Sequence, residues 1–245
     1  MRVLITGASS GIGLQLAKDY LADGVEIIAC GRDADKLSQV LPMTRLLTYA
    51  VFDITDPTEV ANALKVLEPP DLIILNAGMC EYVDDPLQLD PALFQRTMAT
   101  NFLGPVNVLS ALLPRLARGS QIAFIGSAVT HLPLPRSEAY GSSKAALDYL
   151  VATLAIRLQA KGILLTLVRP GFVKTPLTDK NNFPMPWLCT PEQASHLIRI
   201  GIEHRKQSIQ FPFQLHCWMR LFRILPANWW RWLAQKILVR SVESK

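Results

Sequence analysis

The chain has 245 residues, of which 50% are hydrophobic and 18% charged. This length fits one large domain or two small ones, and the apolar content excludes intrinsic disorder. The formal net charge of +5 is not evenly spread. Residues 1–204 hold 17 Lys and Arg against 19 Asp and Glu, whereas residues 205–245 hold 8 against 1. Because the body of the chain is near neutral, its charge does not predict a nucleic-acid partner.

The four cysteines lie far apart and form no CxxC pair or Cys/His cluster, which predicts no disulfide framework and no metal site. A strand-like run begins at residue 3, which leaves no room for a secretory signal. There is also no uninterrupted apolar run of the length that spans a bilayer. We therefore expect a cytoplasmic protein, and peripheral membrane association stays open as an addition to that expectation.

Strand-like and helix-like segments alternate along the chain. Short apolar runs that predict strands lie at residues 3–6, 25–30, 46–52, 71–75, 121–126, 163–168 and 208–211. Helical patterns lie at residues 11–22, 33–41, 56–67, 91–117, 138–160 and 190–204. Strands that are apolar on both faces and separated by helices indicate a parallel sheet covered on both sides. The sequence therefore predicts one doubly wound α/β domain over residues 1–211, followed by a helical extension over residues 212–245.

A glycine-rich turn joins the first strand to the first helix. Residues 6–13 read Thr-Gly-Ala-Ser-Ser-Gly-Ile-Gly. Glycine lets backbone N–H groups approach a pyrophosphate closely, and the N-terminus of a helix favours an anion. The strand–turn–helix context predicts a dinucleotide site that uses Gly7, Ser9, Ser10, Gly11, Ile12 and Gly13.

The residue that follows the second strand bears on the choice of cofactor. A protein that prefers NAD usually has a carboxylate here to bind the ribose 2′-hydroxyl group. This chain has Gly31 and Arg32 instead, and an arginine can bind a 2′-phosphate through charge-assisted hydrogen bonds. The pattern favours NADP(H). Asp33 is one residue further on and leaves NAD(H) as an alternative cofactor.

A third group of residues follows the fifth predicted strand. Ser127 lies at the carboxyl edge of the sheet, where open α/β sheets bind ligands. Tyr140 and Lys144 are four residues apart on a predicted helix and therefore share a face. A neighbouring ammonium group stabilises a phenolate and lowers the pKa of the tyrosine. This arrangement predicts a general acid/base site.

In their order and spacing these motifs resemble the classical short-chain dehydrogenase/reductase family over about residues 1–211. The resemblance implies a Rossmann domain with a seven-stranded sheet, NAD(P) as cofactor, and hydride transfer to or from a small-molecule carbonyl or alcohol carbon. It implies that Tyr140 is the general acid/base, that Ser127 polarises the substrate oxygen, and that Lys144 binds the nicotinamide ribose. It further implies that Asn101 helps to place a water molecule of the proton relay. The cofactor contacts that it adds are Asp53, Ile54, Asn76, Ala77, Gly78, Tyr140, Lys144, Pro170, Gly171, Val173 and Thr175.

Two other functions stay open beside an oxidoreductase. One is a cofactor-binding regulator without turnover, and the other is an isomerase or dehydratase on the same fold. The apolar loop at residues 172–188 suggests an apolar substrate. Members of the family usually assemble as homodimers or homotetramers through helices that correspond to residues 91–117 and 138–160.

The C-terminal extension holds four of the five tryptophans, at positions 218, 229, 230 and 232. Its pattern predicts two helices separated by Pro226, at residues 214–225 and 228–240. Tryptophan and arginine together are typical of boundaries between apolar and aqueous surroundings. Such helices could cover the substrate pocket, pack on a second subunit, or lie on an anionic membrane surface.

Overall fold

The computed structural model describes residues 1–179, 181, 183–224 and 226–243, with the side chains of residues 227 and 237–243 excepted. Seven parallel strands form one sheet in the order β3-β2-β1-β4-β5-β6-β7. The strands are β1 (Arg2–Thr6), β2 (Glu26–Gly31), β3 (Leu47–Val51), β4 (Leu72–Leu75), β5 (Gln121–Ile125), β6 (Leu164–Pro170) and β7 (Ser208–Phe211). The fold class predicted from the sequence is confirmed.

Nine helices connect or follow the strands in the described part of the chain. They are α1 (Gly11–Ala22), α2 (Ala34–Val40), α3 (Pro57–Lys65), α4 (Pro91–Met98), α5 (Gly104–Leu112), α6 (Glu138–Gln159), α7 (Pro191–Glu203), α8 (Phe213–Ile224) and α9 (Ala227–Glu243). Within that part, no helix is both long and apolar enough to cross a bilayer.

The two faces of the sheet carry separate hydrophobic cores. Along β1, Val3 and Ile5 are fully buried in one core and Leu4 is fully buried in the other. This alternation is the two-residue period of a strand that is covered on both faces. Because both faces of the sheet are covered, its carboxyl edge is the place where polar side chains can meet a ligand.

The segment at residues 91–117 was expected to form one long helix, and that expectation is wrong. A π-helical turn, Ala99–Leu103, separates α4 from α5, and a 3₁₀ turn, Leu113–Arg115, follows α5. Pro105 has no N–H group to donate to the carbonyl of Asn101, so regular α-helical bonding cannot continue there. The other predicted segments of the domain end within two residues of the observed elements.

The C-terminal extension packs against the body of the protein. Leu215 and Met219 of α8 are buried in a small core with Ala128 and Leu132. From α9, Trp230 donates its indole N–H to the carbonyl of Pro133 at 2.9 Å. The two predicted tail helices are therefore present as α8 and α9, and Leu225 lies outside the described residues.

The start of α1 is pressed against the end of β1. A Cβ atom at Gly13 would lie 2.4 Å from the carbonyl oxygen of Gly7 and 2.4 Å from Nδ2 of Asn76. Neither neighbour is the end of a long flexible side chain. Only glycine allows this approach, which brings the N-terminus of α1 to the edge of the sheet.

We predict that Gly13→Ala lowers the free energy of unfolding by about 1–3 kcal/mol, because the added methyl group overpacks this contact. Gly141→Ala is the matched control, since its Cβ would be in ordinary contact with Val129 at 3.7 Å. That change within α6 should leave stability unchanged or raise it by about 0.5–1 kcal/mol. Urea unfolding of both variants measures the difference. Equal stabilities would contradict the tight approach of α1.

Candidate active site

A cleft of about 1270 Å³ lies at the carboxyl edge of the sheet. The chain reverses its direction of strand addition between β1 and β4, and open α/β sheets bind ligands at such a switch point. Most of the site residues predicted from the sequence line this cleft: Gly7, Ser10, Gly11, Ile12, Asn76, Ala77, Gly78, Ser127, Tyr140, Lys144, Pro170, Gly171, Val173 and Thr175.

The other predicted site residues are absent from the cleft wall: Ser9, Gly13, Arg32, Asp53, Ile54 and Asn101. Gly13 and Asn101 support the wall from behind, as their contacts show. Arg32 is exposed just past β2, and Asp53 follows β3. Ile54 is nearly buried and packs against Gly104.

Thr6, which the sequence reasoning did not single out as a functional residue, ties the two central strands together at the cleft. The backbone N–H groups of Asn76 and Ala77 donate to Oγ1 of Thr6 at 2.9 and 3.0 Å. In return, Nδ2 of Asn76 donates to the carbonyl oxygens of Thr6 and Gly7. These bonds hold the Asn-Ala-Gly turn after β4 directly against the glycine-rich turn.

The glycine-rich turn has the shape and polarity of an anion site. Gly7 and Gly11 have φ angles of +67° and +54°, which favour glycine. Ser10 precedes α1 without a side-chain capping bond. The first N–H groups of a helix lack partners within the helix and attract negative charge. The diphosphate of a dinucleotide fits this cradle.

Asn101 is fully buried in the π-helical turn and bridges three elements. Its Oδ1 accepts the backbone N–H of Met79 at 2.8 Å, and its Nδ2 donates to the carbonyl of Met79 and to Oγ of Ser143, both at 2.9 Å. Ser143 in turn donates to the carbonyl of Tyr140 at 2.7 Å. This series of hydrogen bonds sets the position of Tyr140 relative to the turn after β4. The sequence analysis did not single out Ser143, whose partner Asn101 lies 42 residues away along the chain.

Ser127, Tyr140 and Lys144 meet at one point of the cleft wall. The Ser127 hydroxyl group is hydrogen-bonded to the Tyr140 phenol and also accepts the N–H of Val129 at 3.2 Å. Lys144 is buried, and its Nζ donates to the carbonyl of Ile125 at 2.8 Å. The same Nζ lies 5.8 Å from the centre of the Tyr140 ring. The predicted proximity of the three side chains is therefore present.

The electrostatics of this group differ from the sequence-based expectation. Burial raises the pKa of Tyr140 above its ordinary value, and the hydrogen bond from Ser127 opposes that shift only in part. Burial also lowers the pKa of Lys144 to about 8, against the attraction of Asp148. The lowered tyrosine pKa that the Tyr-Lys pair predicts is wrong for the protein by itself, because desolvation raises the pKa of Tyr140 by more than the hydrogen bond with Ser127 lowers it. The Tyr140 phenol is therefore protonated at pH 7.

Near the end of β2, the acidic side chains have hydrogen-bond partners within the protein, whereas the basic side chain is exposed. Asp33 caps α2 by accepting the N–H of Lys36 at 2.9 Å. Asp53 accepts two hydrogen bonds from Thr55, which lower the pKa of its carboxyl group, and Arg32 lowers it further by its charge. Arg32 itself is exposed.

The loop after β6 closes against the glycine-rich turn. Val173 is buried and pairs with Cys189 in an isolated parallel β-bridge. The carbonyl oxygen of Val173 accepts a hydrogen bond from the hydroxyl group of Thr178 at 2.7 Å. A Cβ atom on Gly11 would lie 3.0 Å from Cγ2 of Thr175. In the predicted loop at residues 172–188, Lys180 and Asn182 lie outside the described residues.

The C-terminal extension supplies part of the cleft wall. Leu215 and Met219 of α8 line the cleft together with Phe172 and Phe183. A Cβ atom on Gly171 would lie 2.5 Å from Cδ2 of Leu215, so α8 rests directly on the backbone after β6. The sequence interpretation that the tail covers the substrate pocket agrees with this packing. The two residues could not be singled out, because nothing local marks them.

The sequence profile of the short chain dehydrogenases matches residues 1–185. The chain belongs to this family of oxidoreductases. An uncharacterized oxidoreductase of Myxococcus xanthus is 31% identical over 233 residues, which cover 91% of this chain and 92% of that protein. The dehydrogenase/reductase SDR family member 7B of Bos taurus is 33% identical, and the match covers 72% of this chain but only 59% of that longer protein.

Solved structures of the family share the fold. An alcohol dehydrogenase from the archaeon Thermococcus sibiricus, complexed with 5-hydroxy-NADP, superposes with a TM-score of 0.77 at 25% identity. The match covers 86% of this short chain dehydrogenase and 95% of the archaeal chain.

In this short chain dehydrogenase, a pair of buried histidines joins the extension to the active-site edge. Nε2 of His131 and Nδ1 of His216 are 3.0 Å apart, and Nε2 of His216 lies 3.3 Å from the carbonyl oxygen of Phe211. Burial lowers the pKa of His131 to about 4, and the neighbouring His216, Arg169, Arg220 and Arg223 act in the same direction. Burial also lowers the pKa of His216. The docked extension therefore holds both rings neutral.

We predict that the free energy of unfolding falls by about 1–3 kcal/mol as the pH drops from 7 toward 4, through this pair. The unfolded chain takes up protons near pH 6.5, whereas folded His131 does not until about pH 4, and the pKa of folded His216 is also lowered. The double variant His131→Gln/His216→Gln should lose this component. Urea unfolding at several pH values measures it, with the exposed His196→Gln as control. A wild-type slope retained in the double variant would contradict the prediction.

Proposed function

We propose that the protein is an NADP(H)-dependent oxidoreductase that transfers a hydride between nicotinamide and an apolar carbonyl or alcohol substrate. The observation that carries the proposal is the meeting of Ser127, Tyr140 and Lys144 beside the glycine-rich cradle. When bound, the nicotinamide supplies the hydride and the protein supplies the proton.

Tyr140 and Ser127 act on the substrate oxygen in this proposal. Negative charge grows on that oxygen during reduction, and two preorganised donors lower the barrier by a few kcal/mol each. Tyr140 gives up its proton, and Ser127 orients and polarises the oxygen. The raised pKa of Tyr140 keeps the phenol protonated at neutral pH, which suits the reducing direction.

Lys144 and Asn101 act around the tyrosine. Lys144 would bind the nicotinamide ribose, and its buried Nζ faces the space beside Gly78, where a Cβ would lie 3.6 Å away. Asn101, held by Met79 and Ser143, would help to place a water molecule of the proton relay. The cationic ring of an oxidised nicotinamide would add to Lys144 in lowering the pKa of Tyr140.

Most of the remaining proposed cofactor contacts lie along the cleft, whereas Asp53 and Ile54 lie outside its wall. The turn at residues 7–13 would take the diphosphate, Asp53 and Ile54 the adenine, and the Asn76 turn the adenosine ribose. Val173 and Thr175, of which Thr175 lies against Gly11, would hold the carboxamide, beside Pro170 and Gly171. The archaeal relative with 5-hydroxy-NADP supports a cofactor of this class.

The preference for NADP(H) rests on the charges after β2. Asp33 is engaged in capping α2, whereas Arg32 is exposed and available to a 2′-phosphate. NAD(H) remains the alternative cofactor, because the 2′-phosphate contributes only part of the binding.

The substrate is proposed to be apolar because a contiguous part of the cleft wall is apolar. Phe172, Phe183, Leu215 and Met219 lie on it, with Ala128 and Leu134 beside them. Such a wall favours an aliphatic or aromatic carbonyl compound over a small charged one.

A panel of substrates tests the proposal. NADPH oxidation is followed by absorbance with aldehydes, ketones, 3-oxoacyl thioesters and steroids. Turnover of at least one apolar carbonyl supports the oxidoreductase. Binding of NADPH without oxidation by any of them would favour a regulator, and a change in the substrate without net NADPH oxidation would favour an isomerase or dehydratase.

A homodimer or homotetramer is proposed from the exposed apolar side chains near α5 and α6. Leu103, Tyr149 and Ile156 are 50%, 75% and 77% exposed. Tyr149 and Ile156 are seven residues apart on α6 and share a face. Sedimentation velocity of the full chain measures the assembly, and a monomer at micromolar concentration would contradict it.

We predict that Tyr140→Phe lowers kcat by about 10²–10⁴-fold, because the proton donor is lost, with little change in NADPH affinity. Tyr149→Phe on the same helix is the matched control, since Tyr149 is exposed and remote from the cleft. Steady-state kinetics and NADPH fluorescence titration measure the two quantities. Wild-type turnover in Tyr140→Phe would overturn the mechanism.

We predict that Arg32→Gln raises the KM for NADPH about tenfold or more, because a charge-assisted contact to the 2′-phosphate is lost. The KM for NADH should stay within about twofold, since NADH lacks that phosphate. Arg45→Gln, at another exposed arginine, is the control. Equal effects on both cofactors would show that Arg32 does not read the phosphate.

A further inference from the structure

The outward surface of the C-terminal extension is apolar. On α8, Phe213, Trp218, Leu221 and Ile224 are 76%, 51%, 53% and 83% exposed. On α9, Trp229 and Trp232 are 66% and 56% exposed. We call these six side chains the outer face. Large apolar side chains in such density on a surface mark a binding site for an apolar partner.

Packing on the body does not explain the outer face. The contacts of α8 with the body come from Leu215, His216 and Met219, which are buried on the opposite side of the helix. In α9, Trp230 packs on Phe222 and donates to Pro133, whereas Trp229 and Trp232 point away. The outer face is therefore exposed even though the extension is packed on the body of the protein.

Positive charge is exposed on the same two helices as the outer face. Arg220, Arg223, Arg231 and Lys236 are exposed on the same two helices, and Nζ of Lys236 lies 3.9 Å from the centre of the Trp232 ring. From residue 205 to residue 245 the sequence has eight basic residues and one acid, Glu243. Tryptophan rings among lysine and arginine side chains suit the boundary between hydrocarbon and anionic headgroups.

The charge also selects among the partners that could cover an apolar surface. A two-fold contact between copies of the chain would bring two strongly basic extensions together, and like charges at a contact oppose association. The exposed side chains of α6 offer a separate surface for that assembly. A nucleic acid would complement the positive charge, but it offers no apolar surface for the exposed Phe213, Leu221 and Ile224.

We propose that the outer face of α8 and α9 docks the protein on the surface of a membrane that contains anionic phospholipids. The six apolar side chains enter the interfacial region, and the exposed arginines and Lys236 bind lipid phosphates. The association is peripheral, since neither helix is long and apolar enough to span a bilayer among the residues that the structure describes.

Co-sedimentation of the full chain with vesicles tests the proposal. The vesicles are phosphatidylcholine alone or phosphatidylcholine with about one third phosphatidylserine, at low and at physiological salt. Wild-type protein should pellet with the anionic vesicles, less at higher salt, and about tenfold less with the neutral ones. Protein that stays in the supernatant with anionic vesicles at low salt would overturn the proposal.

Two pairs of variants separate the apolar and the charged contributions. Trp229→Ala/Trp232→Ala and Arg231→Gln/Lys236→Gln should each lower partitioning onto anionic vesicles by at least about tenfold. The controls are Val66→Ala/Leu87→Ala and Arg45→Gln/Lys161→Gln, which change equally exposed residues of the body. They should bind as the wild type does. Partitioning unchanged in the tail variants would overturn the proposal.

Sedimentation velocity without vesicles distinguishes a second copy of the chain as the partner. The tryptophan variant should keep the wild-type assembly and the wild-type NADPH affinity. A dimer that dissociates in this variant would assign the outer face to an interface between copies and overturn the membrane proposal.

Discussion

The active-site edge depends on the close approach of two turns at the centre of the sheet. The Thr6 hydroxyl accepts two N–H groups from the turn after β4, and Asn76 returns two bonds to the turn after β1. The absence of a Cβ atom at Gly7 and Gly13 makes the approach sterically feasible. Because the strand order reverses between β1 and β4, this contact also fixes where the cleft opens.

Tyr140 is positioned by the same contact through a short chain of hydrogen bonds. Met79, just after the β4 turn, is bound by Asn101, which binds Ser143, which binds the carbonyl of Tyr140. The π-helical turn brings Asn101 inward. Desolvation by the surrounding protein dominates the protonation of Tyr140 and Lys144.

The extension is coupled to the active site although it follows the last strand. The inner side of α8 forms part of the cleft wall and carries His216, which meets His131 four residues after Ser127. Its opposite side carries the outer face. One helix thus has a side that lines the cleft, a buried histidine contact and an exposed apolar side, so changes in its packing would alter the cleft.

The sequence by itself determined the doubly wound fold, the element order and 14 of the residues that line the cleft. It could do so because strand periodicity, glycine-rich turns and a Tyr-x-x-x-Lys spacing are local patterns. Tertiary structure decided the contact between His131 and His216 and the place of Leu215 and Met219 in the cleft. It also reversed the expected pKa shift of Tyr140. These features depend on burial and on partners up to 85 residues away, which no local pattern encodes.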